Sequence, residues 1–255
     1  MSTLRPIFLG LSVLSCLSCQ DAWEKQRLAA QAQFKAGEYA LALTTLKDVI
    51  AARPQDAESL YLAGLASFEA GQEALAMDYF SQVVALKPDH VQARLEWALM
   101  LARKQQWDQA LALIHEVLAV EPKNIFAIHR AIEIQLKRGD LQQAREMLDK
   151  AQLLGLRNVN TEFLEGQWLL AKGQWQDAER HFAAAAQKYS DQDFLHYYRA
   201  CALVAQGQTE SGLDALTKAF SRGQGNAASL WTQPEFKALL EHPRFVALAG
   251  PRPAP

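Results

Sequence analysis

The chain has little of anything that staples or interrupts a fold. Among 255 residues there are only 3 cysteines, 9 prolines and 13 glycines. Cys16 and Cys19 stand close together near the start, and only Cys201 lies in the body. Neither a disulfide framework nor a zinc-ligand spacing is therefore available, and stability has to come from packing. Charge of one sign is also missing. The 26 Lys and Arg against 28 Asp and Glu leave a formal net charge of −2, so no basic field exists to draw a phosphate backbone, and nucleic acid is not an expected partner. No Gly-rich phosphate loop, HExxH, CxxC or nucleophile elbow occurs. No catalytic residue, metal site, cofactor or small-molecule substrate is assigned, and the chain reads as a non-enzyme. Strand-favouring runs are scarce too. Half of the residues are apolar, and Ala, Leu and Gln are frequent, which is the balance of an all-α protein.

What is present is a period. Prolines stand at Pro54, Pro88 and Pro122, and glycines at Gly37, Gly71, Gly139, Gly173 and Gly207, with Gln105 filling the gap. Small residues share that frame at Ala42, Ala76, Ala110, Ala144, Ala178 and Gly212; bulky ones share it at Leu46, Phe80, Ile114, Leu148, Phe182 and Leu216. Self-similarity at one fixed spacing, the step from Pro54 to Pro88, marks a stacked repeat. Each series has a physical task in a helical hairpin. The glycine ends the first helix in the left-handed region, the alanine admits a close helix approach, and the bulky residue four positions on covers the neighbouring hairpin. The proline, without an amide donor, stops the second helix.

Residues 57–90 carry Leu60, Gly64, Gly71, Ala76, Phe80 and Pro88 in the signature places of the tetratricopeptide repeat (TPR), and the chain resembles that family over residues 23–226. The resemblance implies a right-handed α-solenoid of six helix-turn-helix units, at 23–56, 57–90, 91–124, 125–158, 159–192 and 193–226. The first unit is weak at Gln26, Ala29 and Ala30, the fourth has Leu156 for its closing proline, and the sixth has Thr209 and Gly212. Weak terminal units are what capping repeats look like. Beyond them, residues 227–249 read as a C-terminal helical cap of two short turns, each opened by a proline, Pro234 and Pro243. Residues 250–255 read as a disordered tail.

Residues 1–15 have the anatomy of a signal peptide: Arg5, then an apolar run over 7–14, then small residues before a cysteine. The stretch 6–19 is too short for a membrane span of roughly 20 residues. Val13-Leu14-Ser15-Cys16 resembles the lipobox of bacterial lipoproteins, which implies acylation of Cys16, with Cys19 as the alternative register. Residues 16–22 would then be a tether to a membrane surface, about 20 Å long when extended. Leu17 after the cysteine implies sorting to the periplasmic face of the outer membrane.

In the TPR family the first helix of each unit lines a concave groove. The matching places hold Arg27, Gln31 and Phe34, then Tyr61, Leu65 and Phe68, then Leu95 and Leu99, then Phe126, His129, Glu133 and Leu136, then Phe163, Gln167 and Leu170, then Phe194, Tyr197 and Val204. Most are apolar or aromatic, which suits an amphipathic helix or apolar segment of another envelope protein. The carboxylate clamp that some relatives carry is missing, since Leu62, Gln92 and Glu96 occupy its places. His129 and Glu133 lie one turn apart and read as a surface or groove pair. Cys201 reads as a small packed residue. The function expected is a membrane-tethered interaction scaffold or adaptor, or a pilotin-like assembly factor for a pilus or secretion system. A groove enzyme built on His129, Glu133 and Cys201 and self-association through a terminal unit are the remaining alternatives.

Overall fold

A computed structural model describes residues 10–222 and 226–252, with side chains from residue 22 onward. The signal-peptide reading of residues 1–15 falls mostly, and the acylation of Cys16 or Cys19 falls wholly, outside the described residues or side chains, as does the second half of the expected tail.

Every regular element among the described residues is helical. The chain divides into two compact units, Met1–Pro122 and Lys123–Pro255. The first holds three hairpins: α1 (Gly10–Lys35) with α2 (Tyr39–Ala52), α3 (Ala57–Glu69) with α4 (Glu73–Leu86), and α5 (Val91–Arg103) with α6 (Trp107–Val120). The second holds three more: α7 (Ile125–Arg138) with α8 (Leu141–Leu153), α9 (Val159–Ala171) with α10 (Trp175–Lys188), and α11 (Phe194–Ala205) with α12 (Thr209–Phe220). Within each unit, successive hairpins pack in the consecutive helix-turn-helix manner of a TPR solenoid. Helix α1 begins at Gly10, so residues 16–22, read from sequence as an extended tether, are helical here and continuous with the first repeat.

One turn geometry recurs at every hairpin. One or two residues past the end of the first helix stands a left-handed residue, with φ of 74–85° at the five frame glycines and 58° at Gln105. The next amide then reaches back five residues, as from Glu38 to the Gln33 carbonyl (2.9 Å), Gln72 to Ser67 (2.8 Å) and Gln208 to Leu203 (3.0 Å). These bonds use carbonyls that the helix end would leave unpaired. The fourth unit, which lacks the closing proline, uses the same device at the end of its second helix. Gly155 is left-handed (φ 69°), and the Leu156 amide bonds the Ala151 carbonyl at 2.9 Å.

The core follows from how closely the two helices of a hairpin approach. A Cβ built on Gly64 would lie 2.6 Å from the Phe80 ring, and one on Gly166 would lie 2.3 Å from the Phe182 ring. The same place holds Ala30, Ala98 and Ala200 in other units and is buried throughout, with Ile132 as the single bulky occupant. In the other five units the residue opposite compensates in volume: glycine faces phenylalanine twice, while the alanine units carry Leu46, Ile114 and Leu216. The frame alanines from Ala42 to Ala178 are wholly buried, as close packing of a second helix requires.

Three short segments follow α12: two 3₁₀ segments, Ala227–Thr232 and Pro234–Leu239, and α13 (Pro243–Ala249). The period explains them. Second helices begin at Tyr39, Glu73, Trp107, Leu141, Trp175 and Thr209, and α13 begins at Pro243, one further step of the same frame. Pro234 stands one period after Ala200, in the small-residue place of what would be a seventh first helix. Without an amide donor, and with Gln233 forced extended (φ −83°, ψ 120°), that helix breaks into the two 3₁₀ segments. The last segments are thus a degenerate seventh repeat. Leu230, Phe236, Leu239, Phe245 and Ala249 form one core with Ala200, Cys201, Leu203, Leu213 and Leu216 of the sixth hairpin. Arg244 fastens α13 to α12 through Glu210 (2.5 Å) and Asp214 (2.6 Å).

Both the close approach and the cap can be tested by stability. Gly166→Ala is expected to lower stability by about 1–3 kcal/mol through overpacking against Phe182, measured by urea unfolding, and Phe182→Leu in the same chain is expected to restore part of the loss; equal stability of Gly166→Ala and the native chain contradicts the close approach. Ending the chain before Asn226 exposes the apolar face of the sixth hairpin and is expected to lower both solubility and Tm, an unchanged Tm being the contrary result.

Candidate partner-binding surface

In the first unit, the outward faces of α1 and α3 form a cleft of about 300 Å³ lined by Arg27, Gln31, Phe34 and Lys35 of α1 and by Glu58, Tyr61, Leu62 and Leu65 of α3. Spacings of three and four along each helix put these side chains on one face. The floor is held from behind. The Phe34 ring meets Tyr39 edge-on at 5.3 Å, and Tyr61 rests against Phe80 (5.9 Å) and His90 (4.8 Å). Burial, with Glu96 and Glu58 nearby, pushes the Tyr61 phenol above its usual range, so it stays a neutral donor. On the rim Arg27 pairs with Glu24 at 2.6 Å and Glu58 with Lys87 at 3.2 Å, while Lys35 is exposed. Phe68 is half-buried beneath the Arg103 guanidinium, 4.8 Å from the ring centre. Leu95 and Leu99 are half-buried on α5. Lys35, Glu58 and Leu62 were not among the expected groove residues; they flank the family's groove places, and only the actual rotation of the helices brings them to the cleft.

The second unit divides the expected residues more sharply. Phe126, in the first turn of α7, is 70% exposed. His129 is a correction: its ring is buried, and Nε2 lies 2.8 Å from the Thr161 Oγ1. Thr161 already donates to the Leu156 carbonyl at 2.7 Å, so its oxygen accepts from the His129 Nε2–H. Glu133 does not share a proton with His129; it takes Arg130 at 2.6 Å. The pair read from spacing thus separates into a packing contact and a surface ion pair, because His129 points to the next hairpin and Glu133 to solvent. Phe163 meets Phe194 at 5.2 Å and Tyr198 at 4.8 Å, which makes these rings largely partners of one another. Tyr197 is covered in part by the cap, with Phe236 edge-on at 5.4 Å.

Cys201 is buried, and burial, with Glu235 adding to it, pushes its thiol up to about 12. It is a protonated packing residue at neutral pH. Glu162, Glu165 and His181 bring ligand-type atoms within 4.8 Å of one another. Their charges are already compensated, however: Glu162 by Arg157 (3.2 Å) and Lys188 (3.3 Å), Glu165 by Arg145 (3.3 Å). The His181 Nε2 lies 2.7 Å from the Glu162 carbonyl oxygen. The cluster ties α8, α9 and α10 together and leaves a cation little to bind. No helix of the described residues is long and apolar enough to cross a membrane.

Residues 27–91 match the family model described as tetratricopeptide repeat. Over those residues the chain carries tetratricopeptide repeats. Residues 92–192 match a model described as the TT21 fifth ARM repeats domain, another helical-hairpin array. The spacing of helix starts set by the first three hairpins continues unbroken through that region, whereas armadillo units run to roughly 40 residues or more. Among solved structures, a TPR protein from Parabacteroides merdae matches with a TM-score of 0.79 at 15% identity, covering 89% of this chain and 90% of that one. PilW, described as a widely conserved type IV pilus biogenesis factor, matches at 0.70 and 14% identity, over 86% and 98% of the two chains. PilF of Pseudomonas aeruginosa matches at 0.65 and 11% identity, over 86% and 97%. At such identities the likeness is one of fold. No curated protein sequence matches the chain.

Burial lowers the His129 pKa from its ordinary 6.5, so the unfolded chain takes up this proton first and stability falls as pH drops below about 6.5. The half-buried ring of His196 is shifted in the same direction. The Tm of the native protein is therefore expected to fall between pH 7 and pH 5.5, and His129→Gln is expected to flatten that slope. An equally steep slope in the variant would assign the effect elsewhere.

Proposed function

We propose that this TPR protein is a non-catalytic scaffold that binds a segment of another protein, held at a bacterial envelope membrane through Cys16. The observation that carries the first part is the α1/α3 cleft. Phe34, Tyr61, Leu62 and Leu65 give it an apolar floor, and Arg27, Lys35 and Glu58 give it a rim of mixed charge. Such a surface suits an amphipathic segment: apolar side chains enter the cleft, and polar ones meet the rim. TPR proteins bind protein or peptide partners, and YrrB, similar in fold at a TM-score of 0.51, is described as a TPR protein with an unusual peptide-binding site. Exposed Phe126 supplies a second aromatic contact in the other unit, without packing duties that would hold it back.

The membrane part rests on the lipobox-like residues 13–16. Acyl chains contribute about 0.8 kcal/mol per buried methylene, so multiple chains hold such a protein at a surface. Because α1 is helical from Gly10 onward, Cys16 is joined to the first repeat through a helix, and the anchor places the α1/α3 cleft close to the lipid surface. A narrower reading is that of an assembly factor for a pilus or secretion channel, which the fold likeness to PilW and PilF favours.

A photo-crosslinking amino acid at Leu62, Leu65 or Phe126 is expected to trap one partner in cells, while the same group at exposed Lys47 or Gln142 traps none. Equal trapping at all five positions would remove the cleft from the working surface. In the same cells Cys16→Ala is expected to shift the protein from the membrane to the soluble fraction.

A further inference from the structure

The degenerate seventh repeat closes the core, and it also supplies one wall of a cavity. In the second unit about 390 Å³ is enclosed by Leu170 of α9, Trp175 of α10, Tyr198, Cys201 and Ala205 of α11, and Glu235 of the second 3₁₀ segment. That size falls within the roughly 300–1,000 Å³ of ligand pockets. Packing on their far sides fixes the walls. The Tyr198 ring is stacked on Phe182 at 5.8 Å and meets Phe163 at 4.8 Å, and Cys201 belongs to the core of the sixth hairpin. Gln206 ties the end of α11 to the start of α10 by donating to the Trp175 carbonyl at 3.2 Å. Glu235 is the one charged side chain in a lining that is otherwise apolar or aromatic.

The repeat frame explains why Glu235 is there. It stands one period after Cys201, in the row of places that holds Gln31, Leu65, Leu99 and Gln167 in earlier units. That row lines the groove in the family, so the broken seventh helix still presents a residue to it. The Glu235 side chain is exposed and has no hydrogen bond or ion pair among the described residues. Lys172, just past the end of α9, lies over the Trp168 ring at 4.8 Å instead. The uncompensated charge is felt inside the cavity: after burial, it adds to what pushes the Cys201 thiol and the Tyr198 phenol up. A larger cavity of about 600 Å³ at the start of α11 differs in this respect. Its Asp193 buries Oδ2 without a hydrogen-bond partner and pairs Oδ1 with Arg222 at 3.6 Å, so neither oxygen is presented to a ligand.

We infer that the Glu235 cavity takes an apolar side chain, leucine or phenylalanine, from a helical segment of the protein partner that carries lysine or arginine one turn away. Positions three or four apart share a helix face, so the apolar group enters while the cation meets the Glu235 carboxylate at the mouth. The charge belongs at the mouth because the apolar interior would strip a charged head of its water without replacing it. Assigning the occupant to a protein rests on the scaffold reading. The preference for an apolar body with one positive charge is a property of the second unit alone.

The test titrates the full chain, labelled with nitrogen-15, with three probes that share one apolar body: 4-phenylbutylamine, 4-phenylbutanol and 4-phenylbutyrate. The amine is expected to shift the amides of Tyr198 to Ala205 and of Glu235 saturably in the millimolar range. It should bind about twofold to fivefold more tightly than the alcohol, as one exposed ion pair allows, and the carboxylate should bind most weakly. Glu235→Gln is expected to bring the amine to the level of the alcohol and to leave the alcohol unchanged. Ala205→Phe, at an exposed position where the larger side chain fills the cavity without entering the core, is expected to abolish binding of all three. The inference is overturned if no probe gives a saturable shift, if amine and alcohol bind the native chain equally, or if both variants bind as the native chain does. A photo-crosslinking amino acid at Ala205 is expected to trap in cells the partner that Leu62 and Leu65 trap; amine binding without trapping there overturns the assignment to a protein segment. Loss of amine binding alone leaves the crosslinks at Leu62 and Leu65 unaffected, whereas loss of those crosslinks with amine binding intact removes the scaffold reading and keeps the cavity's preference.

Discussion

The fold depends on how closely the two helices of a hairpin can approach. At Gly64 and Gly166 there is no room for even one methyl group beside Phe80 and Phe182, so the backbone of one helix is itself the wall against which the other packs. Contact at this distance gains dispersion over the whole ring face and leaves no void. Units that carry alanine in this place accept Leu46, Ile114 or Leu216 opposite, which keeps the summed volume within a narrow range. The left-handed turn that follows each first helix is the second half of the constraint. It sets the direction of return, and it pairs carbonyls at the helix end that have no intrahelical partner. The fold tolerates Gln105 in that conformation, at φ 58°, without losing the period.

Hairpins of this kind have two apolar faces to bury, and stacking decides how much remains for a partner. Phe163, Phe194 and Tyr198 satisfy one another, Tyr197 lies under Phe236 of the cap, and His129 is bonded to Thr161. Among the expected groove places, the side chains of the α1/α3 cleft and Phe126 are left open. Ion pairs are treated similarly. Glu162 and Glu165 are surrounded by Arg145, Arg157 and Lys188, so a cluster with the composition of a metal site serves instead to join helices. Asp193 stands apart because the oxygen it buries has been given no donor.

The C-terminal segment shows how a repeat array can end. A further unit begins in register, and its core residues Leu230, Phe236 and Phe245 are kept, but Pro234 occupies the small-residue place and breaks the first helix. The result covers the sixth hairpin without offering a full face to a next one, which suits a solubilising end unit. Arg244, bound to Glu210 and Asp214, gives the outer surface of that closure a polar finish.

The repeat architecture was legible in the sequence because it is periodic. Ala42, Phe80, Gly173 and their counterparts act through neighbours a few residues away or one unit away, so a single fixed spacing carries helix, turn and hairpin together. The C-terminal cap was read from Pro234 and Pro243 as two short turns, whereas the structure has three segments, and their place in the repeat frame came from where α13 starts. Of the cleft residues, Tyr61 and Leu65 stand at places that the family resemblance implied. That Lys35, Glu58 and Leu62 join them depends on the rotation of α1 against α3, a property of how two surfaces interlock and not of either helix. For the same reason spacing paired His129 with Glu133, while packing assigned one to Thr161 of the next repeat and the other to Arg130. The unpartnered oxygen of Asp193 has no sequence signature at all: a carboxylate's hydrogen bonds are a matter of which donors come within reach, and only the tertiary structure decides that.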